Sequence, residues 1–219
     1  VIRNQPSKVK LIIFDFDGVL ADSFNFFYPL IRDGMASIGL DLTANQYRDF
    51  FIGNVHQSFK DFINNEKKYL SFSEFRKNNY DKYYYDKKNG VRLFWGAQEF
   101  IKKLDKKYIL AIVSSGHQKN IENLLKENGL TGLFNFVLAN VSYAKEGMIE
   151  EVLDRSNTKA EETIMISDTV GDIMVAKKVG FKTIAVTWGF QSAGKLKKSN
   201  PDIIVKNFKD LLAKIDKLS

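Results

Sequence analysis

Residues 11–18 read LIIFDFDG, and this stretch decides the fold. Its first four residues form a continuous apolar run, which is typical of a parallel β-strand buried on both faces. Two aspartates and a glycine follow at once. Because ligands of open parallel sheets bind just beyond the carboxyl ends of the strands, the stretch predicts a core strand that delivers Asp15 and Asp17 to a binding site.

Five further apolar runs repeat this pattern along the chain. They span residues 108–113, 134–139, 163–166, 182–186 and 202–205. Between several of them, apolar residues recur at offsets of three and four, which is typical of amphipathic helices that pack on a sheet. The alternation of strands and helices predicts a three-layer α/β core.

One segment interrupts the alternation. From about residue 23 to residue 92 there is no convincing strand, and aromatic residues recur at mostly helical spacings. The pattern predicts a helical insertion between the first two core strands, with the aromatic side chains as its core. We therefore expect a discontinuous core of residues 1–21 and 93–219, and a small all-helical cap domain of residues 22–92.

Composition excludes several classes of protein. The chain has 219 residues and no cysteine, which excludes a disulfide scaffold, a thiolate zinc site and a cysteine nucleophile. No apolar run approaches the roughly 20 residues that span a bilayer, and the first ten residues lack an apolar signal-peptide centre, so we expect a cytoplasmic protein without a membrane partner. The net charge is +7, but like charges form no block, so no nucleic-acid partner is expected.

Polar side chains follow four of the predicted strands. They are Asp15, Asp17, Ser114, Lys145, Asp168 and Asp172. Clustered carboxylates repel one another and favour a bound cation, and ligands that are all oxygen suit Mg²⁺ better than Zn²⁺. Lysine and serine add donors for phosphoryl oxygens. The set therefore predicts phosphoryl transfer, in which catalysis is largely positioning and charge neutralisation.

The spacing of Asp15 and Asp17 suggests a different catalytic role for each of them. Two residues apart in an extended chain, their side chains point to the same side. One can attack phosphorus to form an aspartyl-phosphate, and the other can act as general acid and then as general base. Gly18 permits a tight turn in which backbone amides approach an anion. Asp172 has a second interpretation, as a residue that caps the helix after it.

Residues 15–23 resemble the first motif of the haloacid dehalogenase superfamily, specifically of phosphoglycolate phosphatase-like hydrolases with a helical cap after that motif. Residues 113–115, Lys145 and residues 167–172 resemble the next three motifs, in the family's order. Residues 94–97 and 186–190 resemble the segment that re-enters the core and a late loop near the active site. The third motif usually reads Lys-Pro, whereas here Glu146 follows Lys145, and Ser167 stands where glycine is frequent.

The resemblance implies a Rossmann-like α/β/α core with a mobile helical cap and a phosphatase that acts on a small phosphorylated metabolite. Asp15 would be the nucleophile and Asp17 the general acid and base. The phosphoryl group would be held by Gly18, Ser114, Ser115 and Lys145. Mg²⁺ would be the cofactor, with ligands from Asp15, Asp17, Asp168 and Asp172, the last through water unless it pairs with Lys145 instead. The protein would be a monomer or a homodimer.

Other activities stay open at this stage. A sugar-phosphate mutase of the same superfamily would use the same residues, and a phosphonate hydrolase would need a cap lysine, for which Lys60 or Lys67 is placed plausibly. A dehalogenase is disfavoured because those relatives lack an acid at the position of Asp17. A catalytically silent protein that binds a phosphorylated ligand is the alternative from another class. Candidates for substrate specificity in the cap are Arg48, Asn54 and His56.

Overall fold

The computed structural model of the chain describes residues 9–86, 88, 90–140 and 145–218. Its strands are β1 (Leu11–Phe14), β2 (Ala21–Asp22), β3 (Arg92–Leu93), β4 (Ile109–Ser114), β5 (Phe136–Ala139), β6 (Thr163–Ser167), β7 (Lys182–Val186) and β8 (Ile203–Val205). Six of them form one parallel sheet in the order β5-β4-β1-β6-β7-β8. All six predicted core strands are therefore confirmed, and β1 lies between β4 and β6.

Helices cover both faces of this sheet and fill the insertion. They are α1 (Phe24–Ser37), α2 (Ala44–Asp49), α3 (Val55–Ile63), α4 (Glu66–Tyr84), α5 (Ala97–Leu104), α6 (Gln118–Glu127), α7 (Lys145–Ser156), α8 (Val170–Val179), α9 (Ala193–Leu196) and α10 (Phe208–Leu218). Short 3₁₀ turns lie at Phe50–Ile52, Ala160–Glu162 and Lys197–Ser199. Among the described helices, none has the length and apolarity that a membrane crossing requires.

Two apolar clusters sandwich the sheet. Because side chains of a strand alternate between faces, Ile12 and Phe14 of β1 pack with residues of α5, α6 and α10. Leu11 and Ile13 point the other way and pack with residues of α7 and α8. Each cluster lies between the sheet and a layer of helices, so the predicted three-layer α/β/α core is confirmed.

The insertion forms a helical unit with its own aromatic core. Helices α1 to α4 lie between β2 and β3, and Phe59 and Phe72 are buried among them. Strands β2 and β3 pair antiparallel, with Ala21 opposite Leu93, so the two ends of the insertion lie side by side. Sequence periodicity missed this ribbon because two residues per strand are too few to show an alternation. The division into domains at residues 22 and 92 stays a prediction.

Candidate active site

The carboxyl ends of β1, β4 and β6 meet at one edge of the sheet. Phe14, the last residue of β1, is opposite Ile112 of β4 and Ile166 of β6. Asp15 follows Phe14 directly and is 6% exposed, and Asp168 follows β6 and is fully buried. The parallel register therefore brings residues from distant parts of the chain to the same place.

Lys145 lies between two of the predicted site carboxylates. Its Nζ atom is 2.9 Å from Oδ1 of Asp15 and 2.7 Å from Oδ2 of Asp172. The Ser167 hydroxyl donates a 2.7 Å hydrogen bond to the same Asp172 oxygen. The structure thus places Lys145 beside Asp15 although no proline follows it, and Ser167, where relatives frequently have glycine, orients Asp172.

The charges in this cluster perturb one another strongly. Burial lowers the pKa of Lys145, but the carboxylates of Asp15 and Asp172 outweigh that effect and hold its pKa above the ordinary value. Burial also opposes ionisation of Asp172, yet Lys145 keeps the pKa of Asp172 below its ordinary value. Asp15 differs, because burial raises its pKa well above the ordinary value despite Lys145. One ammonium therefore does not neutralise both carboxylates.

Asp168 supplies a buried oxygen without a partner. Its Oδ2 atom accepts a hydrogen bond from the backbone amide of Phe190, whereas Oδ1 has no partner among the described residues. Burial raises the pKa of Asp168 to about 7. Two glycines make room for this carboxyl group: a β-carbon would lie 2.1 Å from Oδ2 at Gly18 and 2.3 Å from it at Gly189. Both positions therefore require glycine.

These oxygens fit a magnesium ion. Asp168 Oδ1 is a buried acceptor without a donor, and the Asp168 charge contributes to the raised pKa of Asp15, so the two carboxyl groups interact. Within the described residues, no three His, Cys, Asp or Glu side chains are arranged to hold a metal ion by themselves. Mg²⁺ commonly takes one or two carboxylates and leaves its other positions to water and phosphate, so two carboxylates suffice.

Asp17 and Ser114 both lie close to Gly116. A β-carbon at Gly116 would be 3.2 Å from Oγ of Ser114 and 3.3 Å from Oδ2 of Asp17. The Gly116 amide donates a 3.0 Å hydrogen bond to the Ser114 hydroxyl oxygen. Burial raises the pKa of Asp17 to about 6. A carboxyl group with a pKa near neutrality can both give and take a proton at working pH.

The predicted phosphate-binding backbone is only partly available. The amide of Gly18 donates to the carbonyl of Ala21 at 2.8 Å, so it is engaged within its own turn. Ser115 is exposed at the end of β4, beside the buried Ser114. Contacts of Gly18 and Ser115 with phosphate stay predictions.

Helix α8 begins with a threonine cap, which bears on the second interpretation of Asp172. The Thr169 hydroxyl accepts a 3.4 Å hydrogen bond from the Asp172 amide. Asp172 is therefore in the first turn of α8, and its carboxylate faces Lys145. The structure brings Asp172 into the predicted site as a partner of Lys145.

The cap candidates differ in what they contact. Arg48 donates a hydrogen bond from Nη1 to the backbone carbonyl of Phe190, and its guanidinium carbon lies 3.7 Å from the ring centroid of Phe24. Asn54 caps α3, and its side-chain oxygen accepts from the amide of His56 at 2.9 Å. The His56 ring lies against that of Phe59. Arg48 thus contacts the loop that carries Phe190 at the site.

Lys60 and Lys67, the candidates for a phosphonate-cleaving lysine, are both exposed on cap helices. The Lys60 ammonium lies 5.3 Å from the ring centroid of Tyr69. No contact in the described part of the chain favours the phosphonate alternative.

Sequence reasoning missed Gln191. Its Oε1 atom accepts from the amide of Val170 at 2.7 Å, and its Nε2 atom donates to the carbonyl of Arg48 at 2.9 Å. The signal was available, because Gln191 follows β7 and the rule that polar residues after a strand reach the site applies there too.

The chain is similar to several known proteins. A family model described as haloacid dehalogenase-like hydrolase matches residues 12–186. A phosphoglycolate phosphatase of Aliivibrio fischeri is 25% identical over 217 residues, which cover 94% of this chain and 96% of the relative. A pyrophosphatase of Bacillus mycoides is 25% identical over 224 residues, which cover 97% and 99%. A solved haloacid dehalogenase-like family hydrolase from Streptococcus pneumoniae shares the fold, with a TM-score of 0.81, 23% identity and coverage of 94% and 98%.

Proposed function

The chain belongs to the haloacid dehalogenase-like hydrolase family, and from its site we propose that it is a phosphatase that works with Mg²⁺ through an aspartyl-phosphate intermediate. The observation that carries this proposal is the environment of Asp15. A buried ammonium lies against one side of it, and the unpartnered Oδ1 of Asp168 belongs to a carboxyl group that interacts with it. The names of the two relatives, phosphoglycolate phosphatase and pyrophosphatase, support a small phosphorylated substrate.

Asp15, Asp168 and the backbone carbonyl of Asp17 would hold the metal ion. When bound, Mg²⁺ neutralises negative charge on the phosphoryl oxygens. Asp172 orients Lys145 in the structure, and its predicted part in metal binding, through water, remains part of the proposal.

The side chains then divide the reaction as follows. A carboxylate oxygen of Asp15 forms a bond to phosphorus while the bond from phosphorus to the leaving oxygen breaks, and Asp17 donates its proton to that oxygen. Lys145 and the Ser114 hydroxyl hold the phosphoryl oxygens. In the second half, ionised Asp17 takes a proton from water, and the resulting hydroxide attacks phosphorus. Phosphate leaves, and Asp15 and protonated Asp17 are restored.

Phosphate release from an aryl phosphate tests the proposal. We expect release by the wild type with Mg²⁺, little release in EDTA, and loss of at least about 1,000-fold in Asp15→Asn, because the nucleophile is gone. Asp41→Asn changes an exposed cap aspartate and is the matched control. Acid quenching during turnover of a ³²P-labelled substrate should leave label on the wild type and none on Asp15→Asn. Metal-independent release, or label retained by Asp15→Asn, would overturn the proposal.

A further inference from the structure

Arg76 of α4, in the cap, has no acidic partner in the part of the chain that the structure describes. Its Nε atom is buried and has no hydrogen-bond partner, and it forms no salt bridge, among the described residues. Its guanidinium carbon lies 5.3 Å from the ring centroid of Phe59 and 5.4 Å from that of Phe72. The residue as a whole is half-buried, and its charge has no acidic partner among the described residues, so an anion from outside the protein would supply the missing counter-ion.

Two tyrosines near Arg76 also contact residues of the candidate active site. The Tyr47 ring lies parallel to that of Phe59, with centroids 6.5 Å apart, and is 6.3 Å from the ring of Phe190. The backbone amide of Phe190 donates a hydrogen bond to Oδ2 of Asp168. Tyr47 therefore connects the surroundings of Arg76 with the loop behind the predicted metal ligand.

Tyr80 makes the second connection, one turn after Arg76 on α4. Its ring meets that of His117 edge to face at 5.0 Å, and His117 directly follows the Ser114-Ser115-Gly116 loop. Burial raises the pKa of Tyr80, and the charges of Asp17 and Arg76 act on its hydroxyl in opposite directions. The same two charges act on buried Tyr47. Arg76 and Asp17 therefore both lie within electrostatic range of the Tyr47 and Tyr80 hydroxyl groups.

Ser23 connects Asp17 with the same aromatic side chains. The Ser23 hydroxyl is fully buried at the start of α1 and lies close enough to Asp17 to lower the pKa of that carboxyl group as a hydrogen-bond partner, against the effect of burial. Phe26, three residues later, meets the ring of Tyr80 at 5.1 Å. Asp17, Ser23 and Tyr80 therefore lie in one neighbourhood, and the Arg76 guanidinium acts on the Tyr80 hydroxyl from the cap.

We propose that Arg76 binds a second anionic group of the substrate, a carboxylate or a further phosphoryl group, while the phosphoryl group to be transferred lies at Asp15. The inference rests on the proposed phosphatase function and narrows its substrate class. A guanidinium matches both anions because it offers two parallel donors to two oxygens. A substrate with an uncharged tail would leave the Arg76 guanidinium without a charged partner.

Three substrates test this role: phenyl phosphate without a second charge, 2-phosphoglycolate with a carboxylate, and inorganic pyrophosphate with a second phosphoryl group. We expect the wild type to prefer at least one of the two charged substrates. Arg76→Gln should lower kcat/KM for the preferred one by about 10- to 100-fold, the size of a lost charge-assisted hydrogen bond, and leave phenyl phosphate within about 3-fold. Lys77→Gln removes the adjacent, exposed charge of α4 and should change none of the three values.

The outcomes separate the two proposals. Hydrolysis of none of the substrates by folded wild type with Mg²⁺ overturns the proposed function itself. Hydrolysis without preference, or an equal loss on all three substrates in Arg76→Gln, overturns the role of Arg76 alone. If Arg76→Gln does not fold, as judged by circular dichroism, Arg76→Lys keeps the charge but loses the paired donors. It should weaken the preference about 10-fold, and an unchanged preference would overturn the inference.

Discussion

The side chain of Gln191 joins the core to the cap at Arg48, where its Nε2 atom donates to the backbone carbonyl at 2.9 Å. Its Oε1 atom accepts from the amide of Val170, the first residue of α8. The neighbouring Phe190 contributes its side chain to the aromatic core of the cap and its amide to Asp168. The position of the cap is therefore coupled to the carboxyl group that we expect to bind Mg²⁺.

Substitution of Gln191 should loosen the cap without unfolding the core. In Gln191→Glu the ionised carboxylate still accepts from Val170 but cannot donate to Arg48. We expect faster amide hydrogen exchange in α2 and a KM raised about 3- to 10-fold, the equivalent of roughly 1 kcal/mol for a lost hydrogen bond. Gln57→Glu, on the exposed face of α3, is the matched control. Unchanged exchange in α2 would show that this contact does not hold the cap.

Stability in the absence of metal should fall as pH rises. The pKa values of Asp168 and Asp17 in the folded state are about 7 and about 6, and unfolding returns both to near 4. Between these values the unfolded chain binds fewer protons, so the free energy of unfolding decreases with increasing pH. Asp172, with its lowered pKa, acts in the opposite direction only below about pH 4.

Thermal unfolding in EDTA checks this expectation. The Tm at pH 8 should lie roughly 5 °C below that at pH 5.5, since a change of 1 kcal/mol shifts the Tm of a chain this size by a few degrees. Mg²⁺ should raise the Tm more at pH 8, where the carboxylates are ionised. Asp168→Asn should remove most of both effects, whereas Asp41→Asn should keep them. A Tm independent of pH in EDTA would contradict the assigned shifts.

Gly18 and Gly39 form a matched pair for testing the room around Asp168. Both have positive φ angles, +79° and +73°, so alanine strains the backbone at each by about 1 kcal/mol. Only at Gly18 would the new β-carbon also meet Asp168, whereas nothing lies within 4 Å at Gly39. Gly18→Ala should therefore lose about 2 kcal/mol more than Gly39→Ala in urea unfolding, and activity about 100-fold. Equal losses would show that Asp168 moves aside freely.

Lys145 and Asp172 should be coupled strongly in a double-mutant cycle. Lys145→Met leaves two buried carboxyl groups without their cation and should cost about 3 kcal/mol at pH 7.5. Asp172→Asn in the same chain should restore about 1 kcal/mol, because one of those charges is then absent. Urea unfolding of the four proteins measures the coupling. Additive losses would indicate that the ion pair contributes little.

The sequence alone was sufficient for the sheet and for the residues at its edge. Apolar runs such as residues 11–14 are local signals, and parallel strands place the residues that follow them at one edge whatever lies between. The same rule predicted from the sequence alone that Asp15, Ser114 and Asp168 lie close together. Lys145 was predicted to join them from its position shortly after the third strand.

Only the tertiary structure revealed how the cap meets this edge. Contacts such as Gln191 with Arg48 join residues 143 positions apart, and they depend on how one packed unit docks on another. In the sequence, Arg76 lies between Phe72 and Tyr80 on one face of a helix, and this pattern is equally consistent with an arginine that is exposed to solvent. That its Nε atom is buried without a hydrogen-bond partner among the described residues follows from the packing of α4 in the cap, because burial is a property of the assembled chain and not of any single segment.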